Sequence, residues 1–147
     1  VLEEAGVVFT ADHLLPRISA NPTLEPPHPF DEQKAMPLVL YQDSLKRTAE
    51  LDADIACPGH GRSFQNIAGR CHEIAEHQMM RCEDIYQLVK SKPGVHRKEL
   101  SLDIFGKVDA SEIYLTLSEI NAGLELLLNE GRIRCEMKKD VERYSIL

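Results

Sequence analysis

The chain has 147 residues, 43% of them hydrophobic, which is enough to bury a core in one domain or in two small ones. Its formal net charge of −7 excludes a protein built mainly to neutralise phosphates, because non-specific nucleic-acid binding depends on Lys and Arg. The sequence contains no run of about 18 or more apolar residues, and its first residues do not read as a signal peptide. We therefore expect a soluble protein without a membrane partner.

The cysteines favour a reducing compartment. Their spacings are wide and irregular, unlike the disulfide framework of a small secreted domain. A cytoplasmic location is the simplest expectation. The four residues are Cys57, Cys71, Cys82 and Cys135.

The first half of the chain predicts strand, loop, helix and strand. The short β-branched and aromatic run at 6–10 favours a buried strand. Residues 16–37 hold six of the eight prolines and predict a long loop. Apolar residues recur at steps of three and four over 38–51, which predicts a helix, and 51–57 predicts a second strand that ends at a Pro-Gly turn.

The second half predicts three helices and a hairpin. Residues 64–91 predict a long amphipathic helix, and 98–106 and 117–131 predict two further helices. Ser118 is expected to be the N-cap of the last helix, and Gly131 is expected to end it. In residues 132–147, apolar residues alternate with polar ones and a polar turn interrupts the pattern, so this stretch predicts a β-hairpin. This order is typical of a winged-helix domain.

The stretch ACPGHG at 56–61 presents a histidine between two glycines. Ligands of an α/β sheet bind outside the carboxyl ends of its strands, and Asp12 and His60 follow the two predicted strands. We therefore expect their side chains to meet. Zinc accepts imidazole and carboxylate ligands together, and the flanking glycines would let the backbone pass close to such a cluster. In the alternative interpretation, Asp12 is a turn or cap residue and His60 an ordinary loop histidine.

These residues also resemble a known family. FTADHLL at 9–15, followed by PGHG at 58–61, resembles the second half of a metallo-β-lactamase superfamily hydrolase. The family commonly has Gly-Asp in the first motif, whereas Ala11 precedes Asp12 here. The resemblance extends to essentially the whole chain. It implies an α+β fold with a partial αββα metallo-β-lactamase sandwich at 1–80 and a winged-helix domain at 81–147.

The resemblance also implies an activity and a cofactor. Members of this superfamily use a metal-bound hydroxide to attack an ester, thioester, amide or phosphodiester of a small-molecule substrate. By resemblance, Asp12 is a catalytic carboxylate that bridges two metal ions, and His60 is a catalytic ligand to one of them. Zinc is the expected metal, with iron and manganese as alternatives.

The family's principal metal motif, His-x-His-x-Asp-His, is absent from this sequence. We expect it, with the missing N-terminal half of the same domain, upstream of Val1. Two ligands cannot hold zinc tightly, so this chain alone is expected to be inactive and to bind no metal. Half a sandwich would expose apolar surface and a strand edge, so the isolated chain would associate, for example as a homodimer, or be a piece of a longer protein.

Two residues beside Asp12 are candidates for substrate contact. His13 and Arg17 could bind an anionic substrate or be solvated loop residues. His72 and His77 resemble a zinc-protease pair, but their spacing of five places them about 140° apart on a helix, so they cannot share an ion.

A zinc knuckle formed by Cys57, His60, Cys71 and Cys82 is a further alternative. Core packing is the favoured interpretation of Cys71 and Cys82, because they fall on the apolar stripe of the long helix.

A competing function is that of a nucleic-acid or protein-binding winged-helix module. Residues 93–147 carry eight Lys/Arg and ten Asp/Glu, and the helix in the recognition position is expected to expose Glu119, Glu125 and Glu130, which phosphates would repel. The predicted hairpin is more basic, so weak nucleic-acid contact through it stays open. A structural module is favoured over nucleic-acid binding.

Overall fold

The computed structural model of the protein describes residues 5–22 and 36–147. These residues form two compact units, of which unit 1 contains 5–20 and 41–78 and unit 2 contains the rest. The expected domain division at 80/81 stays a prediction. No helix in the described part of the chain is long and apolar enough to cross a membrane.

Unit 1 contains the two strands expected in the first half of the chain. Strand β1 (Val7–Ala11) and strand β2 (Ile55–Pro58) pair in parallel, with Val7 opposite Ile55. Helix α1 (Pro37–Ala49) lies between them in sequence. Strand β2 begins later than predicted, because residues 51–54 form an irregular segment with bends at Leu51 and Asp54. The parallel pairing places the carboxyl ends of both strands at the same edge.

The long predicted helix is confirmed as α2 (Ile67–Ser91), and residues of both units belong to it. The expected proline-rich loop at 16–37 falls partly on 23–35, which lie outside the described residues. Residues 16–22 contain no helix or strand, as predicted.

The core of unit 1 joins both strands to one face of α1 and one face of α2. Burying an aliphatic side chain contributes about 1.5–3 kcal/mol, so this cluster is the main support of the two strand ends. Its buried members are Val8, Leu14, Leu45, Ala56, Ile67, Cys71 and Ile74.

Unit 2 contains the two shorter helices and the hairpin. Helices α3 (Arg97–Phe105) and α4 (Ile113–Asn129) precede the antiparallel strands β3 (Ile133–Lys138) and β4 (Val141–Ile146). The turn at Lys139 and Asp140 has positive φ at both residues, the conformation that fits the twist of a two-residue hairpin.

Helix α4 differs from its prediction at its start. It begins at Ile113, so the expected N-cap role of Ser118 is wrong; Ser118 lies fully buried inside the helix. The end at Gly131 is confirmed. The amide of Gly131 donates to the carbonyl of Leu128, and that of Arg132 donates to Leu127, which is a Schellman arrangement.

Two apolar clusters of unit 2 cover α4 on different sides. In one, Ile120, Leu124 and Leu127 pack with residues of the second half of α2 and of the hairpin. In the other, Ala122 and Leu126 pack with buried residues from α1 and α2. Helix α4 is therefore a central element of unit 2.

Candidate functional site

The candidate site is built where β1 and β2 end. The register of the strand pair shifts between Phe9 and Ala11, and Ala11 adopts a left-handed backbone conformation with φ 45°. The Gly59 amide donates to the Ala11 carbonyl at 2.8 Å. This hydrogen bond ties the loop that carries His60 to the end of β1.

The structure brings Asp12 and His60 together. His60 Nε2 lies 3.3 Å from Asp12 Oδ1, and the two side chains are 73% and 65% exposed, respectively. Both groups are therefore open to a ligand from solvent. Their role as catalytic residues and metal ligands stays a prediction.

The two glycines beside His60 serve different purposes. A Cβ added at Gly59 would lie 2.7 Å from Asp12 Oδ1 and 3.3 Å from the backbone carbonyl carbon of Ala11, so Gly59 provides room for the carboxylate. Gly61 has φ 85°, a backbone conformation that glycine adopts without strain. Gly59 is required because a side chain there would crowd Asp12, and Gly61 is required by its backbone conformation.

Asp12 and His60 have no third partner within residues 5–22 and 36–147. No group of three or more His, Cys, Asp or Glu side chains there could hold a metal ion. Cys57 is half-buried in β2, and Cys71 and Cys82 are buried in separate apolar clusters. The described residues therefore do not form the zinc knuckle, and the core interpretation of Cys71 and Cys82 is confirmed.

Burial changes the chemistry of Cys82. Desolvation, with a smaller contribution from the nearby Glu130 carboxylate, raises the pKa of its thiol to about 11. The group is therefore a neutral thiol at neutral pH and packs as a small apolar side chain.

His13 is directed toward α1. Its Nε2 lies 3.0 Å from Thr48 Oγ1, and its ring meets the ring of Tyr41 edge-on at 5.3 Å. Desolvation, and then the positive charge of Arg47, lower the pKa of the His13 imidazole. These contacts give His13 a packing function within unit 1, and its substrate contact stays a prediction.

Arg17 lies on an open cleft beside His60. The cleft has a volume of about 660 Å³ and is lined on one side by the loop after Asp12 and on the other by the loop after His60. Sequence reasoning did not select Arg62, which also lines this cleft; its position two residues after His60 was the available signal. The polar lining residues are Arg17, His60, Arg62 and Ser63.

Arg70 of α2 fixes the first of these loops. Its Nε donates to the Leu15 carbonyl at 2.8 Å, and its Nη2 donates to the Ile18 carbonyl at 3.0 Å. Its Nη1 pairs with Glu73 at 3.1 Å. A single guanidinium therefore holds the backbone on both sides of Arg17.

No protein-family model matches the chain. The probable metallo-hydrolase YqjP of Bacillus subtilis (strain 168) is 34% identical over 131 residues, which cover 89% of this chain and 40% of that protein. The metallo-β-lactamase family protein TTHA1429 from Thermus thermophilus superposes with a TM-score of 0.80 at 29% identity, over 99% of this chain and 44% of its own. A β-lactamase domain protein from Burkholderia ambifaria gives a TM-score of 0.85 at 30% identity, over 99% of this chain and 42% of its own.

The chain resembles a fragment of a metallo-β-lactamase-like hydrolase. Its mixed α/β fold is similar to that of metallo-β-lactamase domain proteins over nearly all described elements. The chain spans less than half the length of each of these three proteins. The family resemblance seen in the sequence is therefore supported.

Proposed function

We propose that the whole protein is a metal-dependent hydrolase of the metallo-β-lactamase superfamily and that this chain supplies Asp12 and His60 as ligands. The observation that carries the proposal is the 3.3 Å approach of the two side chains at the shared end of two parallel strands. The similarity to a metallo-hydrolase supports it.

The donor set fits zinc, although it is incomplete. A carboxylate and an imidazole are both common zinc ligands, and the Gly59 amide–Ala11 carbonyl hydrogen bond fixes the backbone between them. A catalytic zinc needs about three protein ligands, so the remaining ligands would come from outside the described residues. Iron and manganese accept the same donors and stay alternatives.

Metal ions held at this site would supply an activated water and would polarise the ester, thioester, amide or phosphodiester of a small-molecule substrate. The chain's own contribution is to present Asp12 and His60 on fixed loops that are open to solvent. Because two ligands bind weakly, we propose that this chain alone is inactive. A cytoplasmic location and homodimer formation stay predictions.

A Co²⁺ titration of the 147-residue chain, followed by NMR, tests this proposal. Co²⁺ takes the same kinds of ligand as zinc and broadens nearby resonances. We expect weak binding, with broadening centred on Asp12 and His60, and loss of that broadening in His60→Gln. After dialysis against a weak chelator, the metal content should fall to near zero.

His72→Gln is the matched control, because His72 is an exposed histidine on α2. It should leave the broadening at Asp12 unchanged. Broadening centred elsewhere, or an undiminished response in His60→Gln, would contradict the assignment of the two ligands.

For unit 2 we propose a winged-helix fold that serves as a structural module. Its helix order, its hairpin and the bridge between Val95 and Tyr144 support this fold. Glu119 and Glu125 are half-buried, which corrects their expected exposure: Glu119 accepts from Arg81 at 2.8 Å, and Glu125 accepts from Asn121 at 2.7 Å.

A recognition helix must present side chains to a groove, whereas nine residues of α4 are buried. The nucleic-acid alternative therefore depends on the hairpin, where Lys138 and Lys139 are exposed. A salt-sensitive affinity for RNA or DNA that is lost when both become Ala would favour that alternative over a structural module.

A further inference from the structure

We propose that the 660 Å³ cleft beside His60 binds an organic anion, meaning a carboxylate or phosphate group on an apolar body, and that Arg17 and Arg62 bind the anionic group. This inference rests on the proposed hydrolase function and names the substrate class of that site.

The charges of the two arginines are available to a ligand. Within the described ranges, neither guanidinium forms an ion pair with a carboxylate, although the chain as a whole carries a net charge of −7. Other arginines are paired: Arg70 with Glu73 and Arg81 with Glu119. An Arg guanidinium binds carboxylate or phosphate oxygens with two parallel hydrogen bonds, so two guanidinium groups on one cleft, neither paired with a carboxylate of the described residues, favour an anion.

The rest of the lining is mostly apolar. Leu15, Pro16, Ile18 and Phe64 contribute to the cleft, and Ile18 is 65% exposed. Pockets of about 300–1,000 Å³ with mainly apolar walls and a few polar groups are typical of small-molecule sites. The body of the ligand is therefore expected to be apolar and the recognised end anionic.

Both sides of the cleft are fixed to the core of unit 1. Arg70 holds the carbonyls of Leu15 and Ile18 on the first side. On the second side, Phe64 exchanges two backbone hydrogen bonds with Ala56 of β2, at 2.8 and 3.1 Å. A cleft with fixed sides loses little conformational entropy when it binds a ligand, which favours a true binding site.

Phenyl phosphate and benzoate are suitable probes, because each joins an aromatic body to one anionic group. Each is titrated into the 147-residue chain in the presence of EDTA, and amide shifts are followed by NMR. We expect saturable shifts at Gly61, Ser63 and Phe64. The dissociation constant should rise at least about 10-fold in the Arg17→Gln/Arg62→Gln double variant, since both charge-assisted hydrogen-bonding groups are then lost.

Arg134→Gln is the matched control, because Arg134 is an exposed arginine on the hairpin of unit 2. It should leave the dissociation constant unchanged, and phenol, which lacks the anionic group, should bind far more weakly. Inorganic phosphate alone tests whether the charge suffices without the apolar body. Absence of saturable binding, or equal affinity in the double variant, would overturn the inference.

The two proposals can fail separately. Asp12 does not line the cleft, so Asp12→Asn should abolish the Co²⁺ response and leave phenyl phosphate binding intact. Anion binding in a chain that fails the Co²⁺ test would overturn the assignment of Asp12 and His60 as metal ligands and keep the anion site. A normal Co²⁺ response without anion binding would overturn the anion site alone.

Discussion

The two units of the chain treat their polar side chains differently. Unit 1 leaves Asp12, His60, Arg17 and Arg62 exposed on loops after its strands. Unit 2 engages Arg81 with Glu119, and it buries much of α4 between two apolar clusters. The difference teaches that a site is best sought where fixed backbone presents exposed polar groups. Helix α4 occupies the recognition position of a winged-helix order, but in this protein it packs in the core of unit 2.

The test of this comparison with the largest expected effect is Ile120→Ala in α4. Ile120 is fully buried in unit 2, so we expect the free energy of unfolding to fall by about 3 kcal/mol, within the usual range for removing a buried aliphatic side chain. Urea unfolding measures the loss. Ile113→Ala on the same helix, where Ile113 is 47% exposed, should cost less than about 1 kcal/mol. Equal losses would mean that α4 is not a central packing element.

The next test is Arg70→Met in unit 1. The change removes two hydrogen bonds from a guanidinium to the backbone, and we expect a loss of about 2 kcal/mol. It should also shift the amide resonances around Arg17 and weaken phenyl phosphate binding. Arg47→Met, at an exposed position of α1, is the control and should change neither. An unchanged loop in Arg70→Met would show that the loop holds its conformation without this clamp.

The two glycines beside His60 give a finer test. Gly61→Ala places a side chain at φ 85° and should cost about 1–2 kcal/mol of stability. Gly59→Ala instead crowds the Asp12 carboxylate, so it should lower Co²⁺ affinity about 10-fold with a smaller stability loss. Urea unfolding and the Co²⁺ titration separate the two. If both variants lose stability and leave Co²⁺ binding intact, Gly59 is not needed for the geometry of Asp12.

The smallest expected effect is a gain. Ala11 has φ 45°, a conformation that is unfavourable for any residue with a Cβ, and Ala11→Gly should raise the free energy of unfolding by up to about 1 kcal/mol. Ala49→Gly, at the last residue of α1, should instead lower it by a similar amount. A loss of stability in Ala11→Gly would contradict the argument from backbone strain.

Much of the fold could be predicted from periodicity. The apolar stripe of α2 predicted a helix, and the alternation of apolar and polar residues predicted the hairpin. Both predictions are correct because burial of one face imposes a helical period on a helix and a two-residue period on a strand. The start of α4 could not be predicted in this way. Ser118 is a favourable N-cap residue, but the packing of Thr116 and Ile120 on the core extends the helix to Ile113 and overrides that preference.

The candidate site was predictable in part. The parallel arrangement of two short strands brings Asp12 and His60 together, and the sequence contained that information in the order strand, helix, strand. The packing of His13 on α1 and the clamp of Arg70 could not be found, because they depend on which way a loop turns after β1. Arg62 left no periodic signal either, because it lies on a cleft between two loops; its position two residues after His60 was the only sequence signal for it.

The parallel pairing of β1 with β2 also has a kinetic consequence. Asp12 and His60 are far apart along the chain, and parallel strands can pair only after the intervening crossover has closed. Contacts of such high sequence separation are slow to form, because the entropy of loop closure must be overcome before they provide any stabilisation. The hairpin of unit 2 is local and free of this delay. The approach of Asp12 to His60 should therefore be among the last events of folding, which makes it a sensitive indicator of the native state of unit 1.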